Sequence, residues 1–175
     1  MIMSYSLIRK ILNLSFCLCF IGYAFAADVP MPPKGWMQPS ADNLYNLDSW
    51  RNESDGFFIA DSGDYDGDGL IDYSSLFLSE DFSEEGLFVY LAGYKKWQKL
   101  DGVSLEDKQV FMGLETVSPK VFETSMCFNF DEKNDCITEL KTVNDSILYF
   151  RHASSSTIFW WSKSKRKFSK FWLGS

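Results

Sequence analysis

From Phe57 to Leu173 the chain keeps returning to short runs of aromatic and β-branched residues, each closed by glycine, asparagine or a charged cluster. Runs of that length suit strands, and the punctuation between them is that of turns. The pattern predicts strands near residues 57–60, 73–78, 87–92, 97–100, 110–117, 121–125, 146–151, 157–162 and 168–173. Two stretches, "LFVYLAGYKKWQKL" and "TIFWWSKSKRKFSKFWL", each read as a pair of strands around a tight polar turn. Successive hairpins build antiparallel sheet, and an aromatic content of 17% supplies bulky side chains for its inner face. The expected fold is mostly β, an antiparallel β-sandwich or a strongly curved sheet with one short N-terminal helix. That helix is expected within "SADNLYNLDSW", where Ser40 or Asp42 can cap it and Leu44, Leu47 and Trp50 recur at helical spacing. Ahead of it the proline-rich "DVPMPPKGWMQP" should run extended along the body, anchored by Trp36.

The first 26 residues have a different character. Arg9 and Lys10 precede the apolar run "ILNLSFCLCFIGYAFA", which ends on Ala24, Phe25 and Ala26, the small-x-small pattern of a secretory signal peptide cut between Ala26 and Ala27. A membrane anchor would need roughly 20 apolar residues, and Asn13 and Ser15 interrupt a run shorter than that. The expected organisation is a cleaved signal over 1–26 and a single β-rich domain over 27–175, periplasmic or extracellular, with no integral membrane segment after cleavage. Cys17 and Cys19 leave with the signal. Cys127 and Cys136, bracketing "FNFDEKND", remain as an even pair, which in an exported chain implies a disulfide; two buried free thiols are the alternative.

Cleavage removes two basic residues and no acidic one, so 15 Lys and Arg face 24 Asp and Glu, a formal charge of −9. A nucleic-acid partner wants the opposite sign, and no basic stripe interleaved with aromatics spans the domain. An acidic surface suits cations or a basic protein partner, although it also serves solubility alone.

In "SGDYDGDGLIDY", residues 62–73, the closely spaced Asp64, Asp66, Asp68 and Asp72 repel one another unless a cation sits among them. Ca2+ takes about six to eight oxygen ligands, and carboxylates at alternate positions converge on one point when the backbone curls around it. In a loop over 61–72, Asp64, Asp66 and Asp68 would give side-chain oxygens, Leu70 its carbonyl, and Asp72 an oxygen directly or through water. Gly69 permits the sharp turn and Gly67 adds freedom where a side chain would crowd the ion. An EF-hand would carry a bidentate Glu where Ser75 stands, and helices where strands are expected. The stretch instead resembles the calcium loop of FG-GAP and VCBS repeats, over residues 57–78 and including Gly63, Asp64, Asp66, Gly67, Asp68, Gly69 and Asp72. The resemblance implies Ca2+ on those aspartates; it does not bring a propeller, since one copy is present and residues 27–175 are too few. A metal-free acidic turn is the plain alternative. A haloacid dehalogenase-type Asp-x-Asp-Gly-Thr motif would need Thr where Asp68 stands and alternating βα units, and nothing suggests a nucleotide-sugar domain.

Catalytic constellations are scarce. His152 is the only histidine and is read as a strand-end or loop residue, with no Gly-x-Ser-x-Gly elbow beside it. One histidine and a paired cysteine set leave no soft ligands for zinc. Glu84 with Glu85, and Glu106 with Asp107, are read as solvated neighbours rather than a glycosidase pair. Lys163, Lys165, Arg166, Lys167 and Lys170 in the tail are read as a solvated turn, although beside Phe168, Phe171 and Trp172 they also suit anionic lipid or glycan. The layout from "PKGWMQP" through "LDSWRN" to the acidic loop and "GLFVYL" loosely resembles small periplasmic immunity proteins of bacterial antibacterial toxins. The resemblance implies an exported, non-enzymatic calcium-binding protein that binds and inhibits a protein partner, a basic toxin or enzyme. A calcium-dependent module for glycan or cell-surface ligands, with Trp97 or Trp172 stacking on sugar, is the alternative, and a hydrolase the third reading.

Overall fold

The computed structural model describes residues 29–45, 49–105, 107–125 and 137–174. The expected signal with its Ala26–Ala27 junction and the Cys127–Cys136 pair lie outside the described residues. Within them the chain is mostly β: β1 (Trp36–Met37), β2 (Ala60–Gly63), β3 (Asp72–Ser79), β4 (Glu84–Leu91), β5 (Lys96–Ser104), β6 (Met112–Val117), β7 (Val121–Glu123), β8 (Glu139–Lys141), β9 (Ser146–Arg151), β10 (Ser156–Ser162) and β11 (Lys167–Gly174). One sheet runs β1-β3-β4-β5, with β2 also on β3; a second runs β11-β10-β9-β6; β7 and β8 pair by themselves. Every strand pairing is antiparallel, and neither large sheet closes on itself.

Strand alternation explains how the sheets share a core. Leu76 and Leu78 of β3 and Leu87, Val89 and Leu91 of β4 point one way, into a cluster with Leu114, Ile147, Tyr149 and Phe159 of the second sheet. Each such side chain, removed from water, stabilises by about 1.5–3 kcal/mol before the entropy of ordering is set against it. The other face of β3 and β4 carries Phe77 and Phe88, covered by Trp36 of the proline-rich entry at 4.8 Å from Phe88 and by Trp97 at 5.0 Å from Phe77. With apolar residues on both faces, β3 is buried along nearly its whole length. The outer face of the second sheet is covered by the β7–β8 hairpin, where Phe122 and Leu140 meet Ile158 and Phe171. At the open side, edge strands β5 and β11 approach each other, and Lys170 of β11 pairs with Asp101 of β5 at 3.1 Å.

Two expectations give way to tertiary pairing. The described residues of "SADNLYNLDSW" form 3₁₀ turns, Ala41–Asn43 and one starting at Trp50, and do not show the short α-helix expected there. The backbone just after the first turn is taken by residue 110: Val110 N–H donates to Asn43 O at 2.7 Å and Tyr45 N–H to Val110 O at 3.0 Å, drawing Leu44 into the core. Further on, β2 begins at Ala60 rather than Phe57, because Phe57 and Phe58 sit at φ 51° and 55° and cannot continue a strand. Both hairpins predicted from the sequence are present, as β4–β5 and β10–β11.

Candidate metal centre

The β2–β3 ladder ends with Gly63 opposite Asp72, so residues 64–71 are the connection of a hairpin. Its second residue plugs it into the core. Tyr65 is fully buried, with its hydroxyl shared between Ser74 Oγ of β3 at 2.9 Å and Thr116 Oγ1 of β6 at 2.7 Å. Burial pushes the Tyr65 phenol well above its ordinary range. With that side chain fixed inward, its acidic neighbours are turned onto the loop itself.

The aspartates organise the curl by accepting backbone N–H groups. Asp64 takes Gly67 at 2.8 Å and Gly69 at 3.1 Å, Asp66 takes Asp68 at 3.1 Å, and Asp68 takes Leu70 at 2.8 Å. Asp72 holds Tyr65 N–H at 3.0 Å through one oxygen and Ala92 N–H of the β4–β5 turn at 2.8 Å through the other. Gly67 and Gly69 lie at φ 75° and 85°, and a Cβ on Gly67 would fall 2.6 Å from the Asn144 amide.

Asp64, Asp66 and Asp72 thereby each bring an oxygen within 4.8 Å of the others. Asp68 stands outside this trio, its second oxygen lying against Gly93, and Leu70 lies in the exposed turn. No ion pair among the described residues engages any of the trio. Burial pushes Asp72 up to about 6, against the N–H groups of Ala92 and Tyr65. Asp66 is raised by burial and by the charges of Asp68 and Asp64. The cluster is therefore short of positive charge, its donors are hard oxygens, and each oxygen that accepts one N–H keeps capacity for another partner. Those properties fit a divalent cation of the calcium or magnesium type.

Sequence reasoning did not find three supports of this loop. Tyr65 was an aromatic set inside a polar run, a readable signal. Asn144 and Asp145 were not readable: Asn144 donates to Tyr65 O at 3.3 Å and Asp145 accepts the Asp64 N–H at 3.0 Å across about 80 positions of sequence.

A second polar cluster lies deeper. Arg51 is fully buried and donates to the carbonyls of Tyr45, Phe57, Val110 and Met112 at 2.8–3.0 Å. Glu85, expected to be solvated, is also fully buried, accepting Phe111 N–H at 2.9 Å, because β4 alternation places it on the same inner face as Leu87. Burial pushes Glu85 up to about 7, opposed by the N–H groups of Phe111 and Met112 and by Arg51. Burial lowers Arg51 to about 10, with Glu85 opposing. Glu84 is the solvated one, paired with Lys99. His152 lies in the turn after β9, stacked on Trp50 at 5.1 Å and 8°.

Known protein families, curated proteins and solved structures yield no match to this chain. Among the described residues no helix is long and apolar enough to cross a membrane.

Proposed function

We propose that the chain is an exported, non-enzymatic calcium-binding protein whose ion-braced domain binds and inhibits a basic protein partner. The supporting observation is the trio Asp64, Asp66 and Asp72, drawn together with no ion pair to any of them among the described residues. Bound Ca2+ would be held by these three carboxylates, with Asp68 as the further ligand that the resemblance to FG-GAP and VCBS loops implies and the Leu70 carbonyl as the one that the loop spacing offers. The ion supplies the missing charge. The chain's own groups do the bracing: Tyr65 ties the loop to β3 and β6, and Asp72 ties it to the β4–β5 turn. A formal charge of −7 on the whole chain favours encounter with a basic cleft.

Calorimetry on protein recovered from the periplasm tests the first part. Calcium uptake should give a measurable heat, and at a hundred times the dissociation constant it should add about 2.7 kcal/mol that EDTA removes. Indifference of both heat and melting to calcium would remove the reading. Affinity capture from periplasmic extract, with and without chelator, tests the second. One stoichiometric protein partner supports inhibition, whereas glycan alone overturns it.

A further inference from the structure

The tips of the two long hairpins, one from each large sheet, stand side by side. Between them runs a groove of about 420 Å³. Its walls are aromatic: Tyr94 from the β4–β5 turn and Trp161 from β10 face each other at 6.5 Å with planes 48° apart. Tyr94 is 54% exposed although it forms a face of the groove. Its polar groups are Lys96, Gln98 and Arg166. Among the described residues neither Lys96 nor Arg166 has an ion-pair partner, on a chain whose formal charge is −7. Two cations left unpaired at one concave spot of an acidic protein are complementary to an anion.

The turns themselves add a second observation. Lys95 and Arg166 sit at φ 50° and 49°, the left-handed region that glycine or asparagine enters without strain. Each tip places a cation there instead, and of the two Arg166 lines the groove.

We infer that this groove binds a short anionic saccharide, its ring stacked against Tyr94 and Trp161 and its carboxylate or phosphate held by Arg166 and Lys96. Aromatic faces take the C–H side of a sugar ring, Gln98 offers both a donor and an acceptor to hydroxyls, and the guanidinium fork matches an oxyanion. The neighbourhood limits the ligand to few charges. Asp68 lies against Gly93 at the root of the same turn, and Asp66 is within electrostatic reach of Lys163, so an extended polyanion would be driven over the acidic loop. A nucleic acid or an anionic membrane presents such an array, whereas a disaccharide does not. This inference goes beyond the proposed inhibition of a protein and holds without it.

A glucuronate-containing disaccharide is the probe, followed by tryptophan fluorescence of the whole protein, to which Trp161 contributes from the groove wall, and by calorimetry. Submillimolar binding is expected, weakened at least tenfold when the carboxyl group is reduced to the neutral sugar. Arg166→Asn, which suits the turn conformation, and Tyr94→Ala, on an exposed side chain, should each weaken binding at least tenfold with unchanged thermal unfolding. Absence of binding at millimolar sugar overturns the inference. So does binding indifferent to both substitutions, or retention on phosphatidylglycerol vesicles that the disaccharide fails to compete.

Discussion

Two charged clusters lie in this domain, and they are resolved in opposite ways. Around Arg51 the chain supplies both signs, since the guanidinium meets four carbonyls and shares its surroundings with Glu85. Around Asp64, Asp66 and Asp72 the hydrogen bonds among the described residues come from backbone N–H groups, and Lys163, within electrostatic reach of Asp66, forms no ion pair with it. Backbone hydrogen bonds organise both places, leaving Glu85 Oε1 buried without a partner in the first, but in the second they cannot neutralise three like charges within 4.8 Å. The first cluster is a closed piece of architecture. The second is open to an ion from solution.

The largest expected effect comes from breaking the closed cluster. Arg51→Met strands four carbonyls and leaves Glu85 buried alone, and should cost about 3–5 kcal/mol in urea unfolding, equally in calcium and in EDTA. A loss under about 1 kcal/mol would mean that the cluster is not closed in the sense argued. Next in size is the pH dependence of Glu85. Its folded value of about 7 exceeds its unfolded 4.5, so the folded state holds the proton more tightly and the group's contribution to stability declines as pH rises through that window. Glu85→Gln has no proton to lose there. Unfolding between pH 5 and 8 should show wild type losing up to about 3 kcal/mol relative to the variant, and parallel curves would refute the assignment. The smallest effect sharpens the open cluster. Asp66→Asn keeps an acceptor for the Asp68 N–H while removing one charge, so in EDTA it should change stability by less than about 1 kcal/mol, in the stabilising direction. In calcium it should lose the increment of about 2.7 kcal/mol that the ion gives wild type.

Alternation and turn chemistry made the hairpins legible, because strand period and turn residues are local properties. The same locality hid the helix outcome: spacing of Leu44 and Trp50 suited a helix, but the pairing of Asn43 and Tyr45 with Val110 was decided more than sixty positions away. Phe57 and Phe58 looked like the start of a strand by composition, and their left-handed backbone follows from the turn that delivers the Phe57 carbonyl to Arg51. At the loop, alternation of aspartate with glycine announced a curl that gathers carboxylates. It could not say that Asp68 would lean toward Gly93 while Asp72 joined the trio, since Gly93 lies on another hairpin. Glu85 was misjudged because a charged residue at an inward strand position reads as solvated until its buried partner is known, and nothing near Arg51 in sequence names Glu85.

The unclosed side between β5 and β11 has a consequence for life in a crowded compartment. Both strands offer unpaired backbone to any passing chain, the usual seed of edge-to-edge aggregation. Lys96 on one margin and Lys167 on the other mean that an intruding strand would have to strip water from ammonium groups, and at Lys99 and Lys170 disturb an ion pair, before its first ladder bond formed. The protein stays open-sided and yet guarded against its own copies.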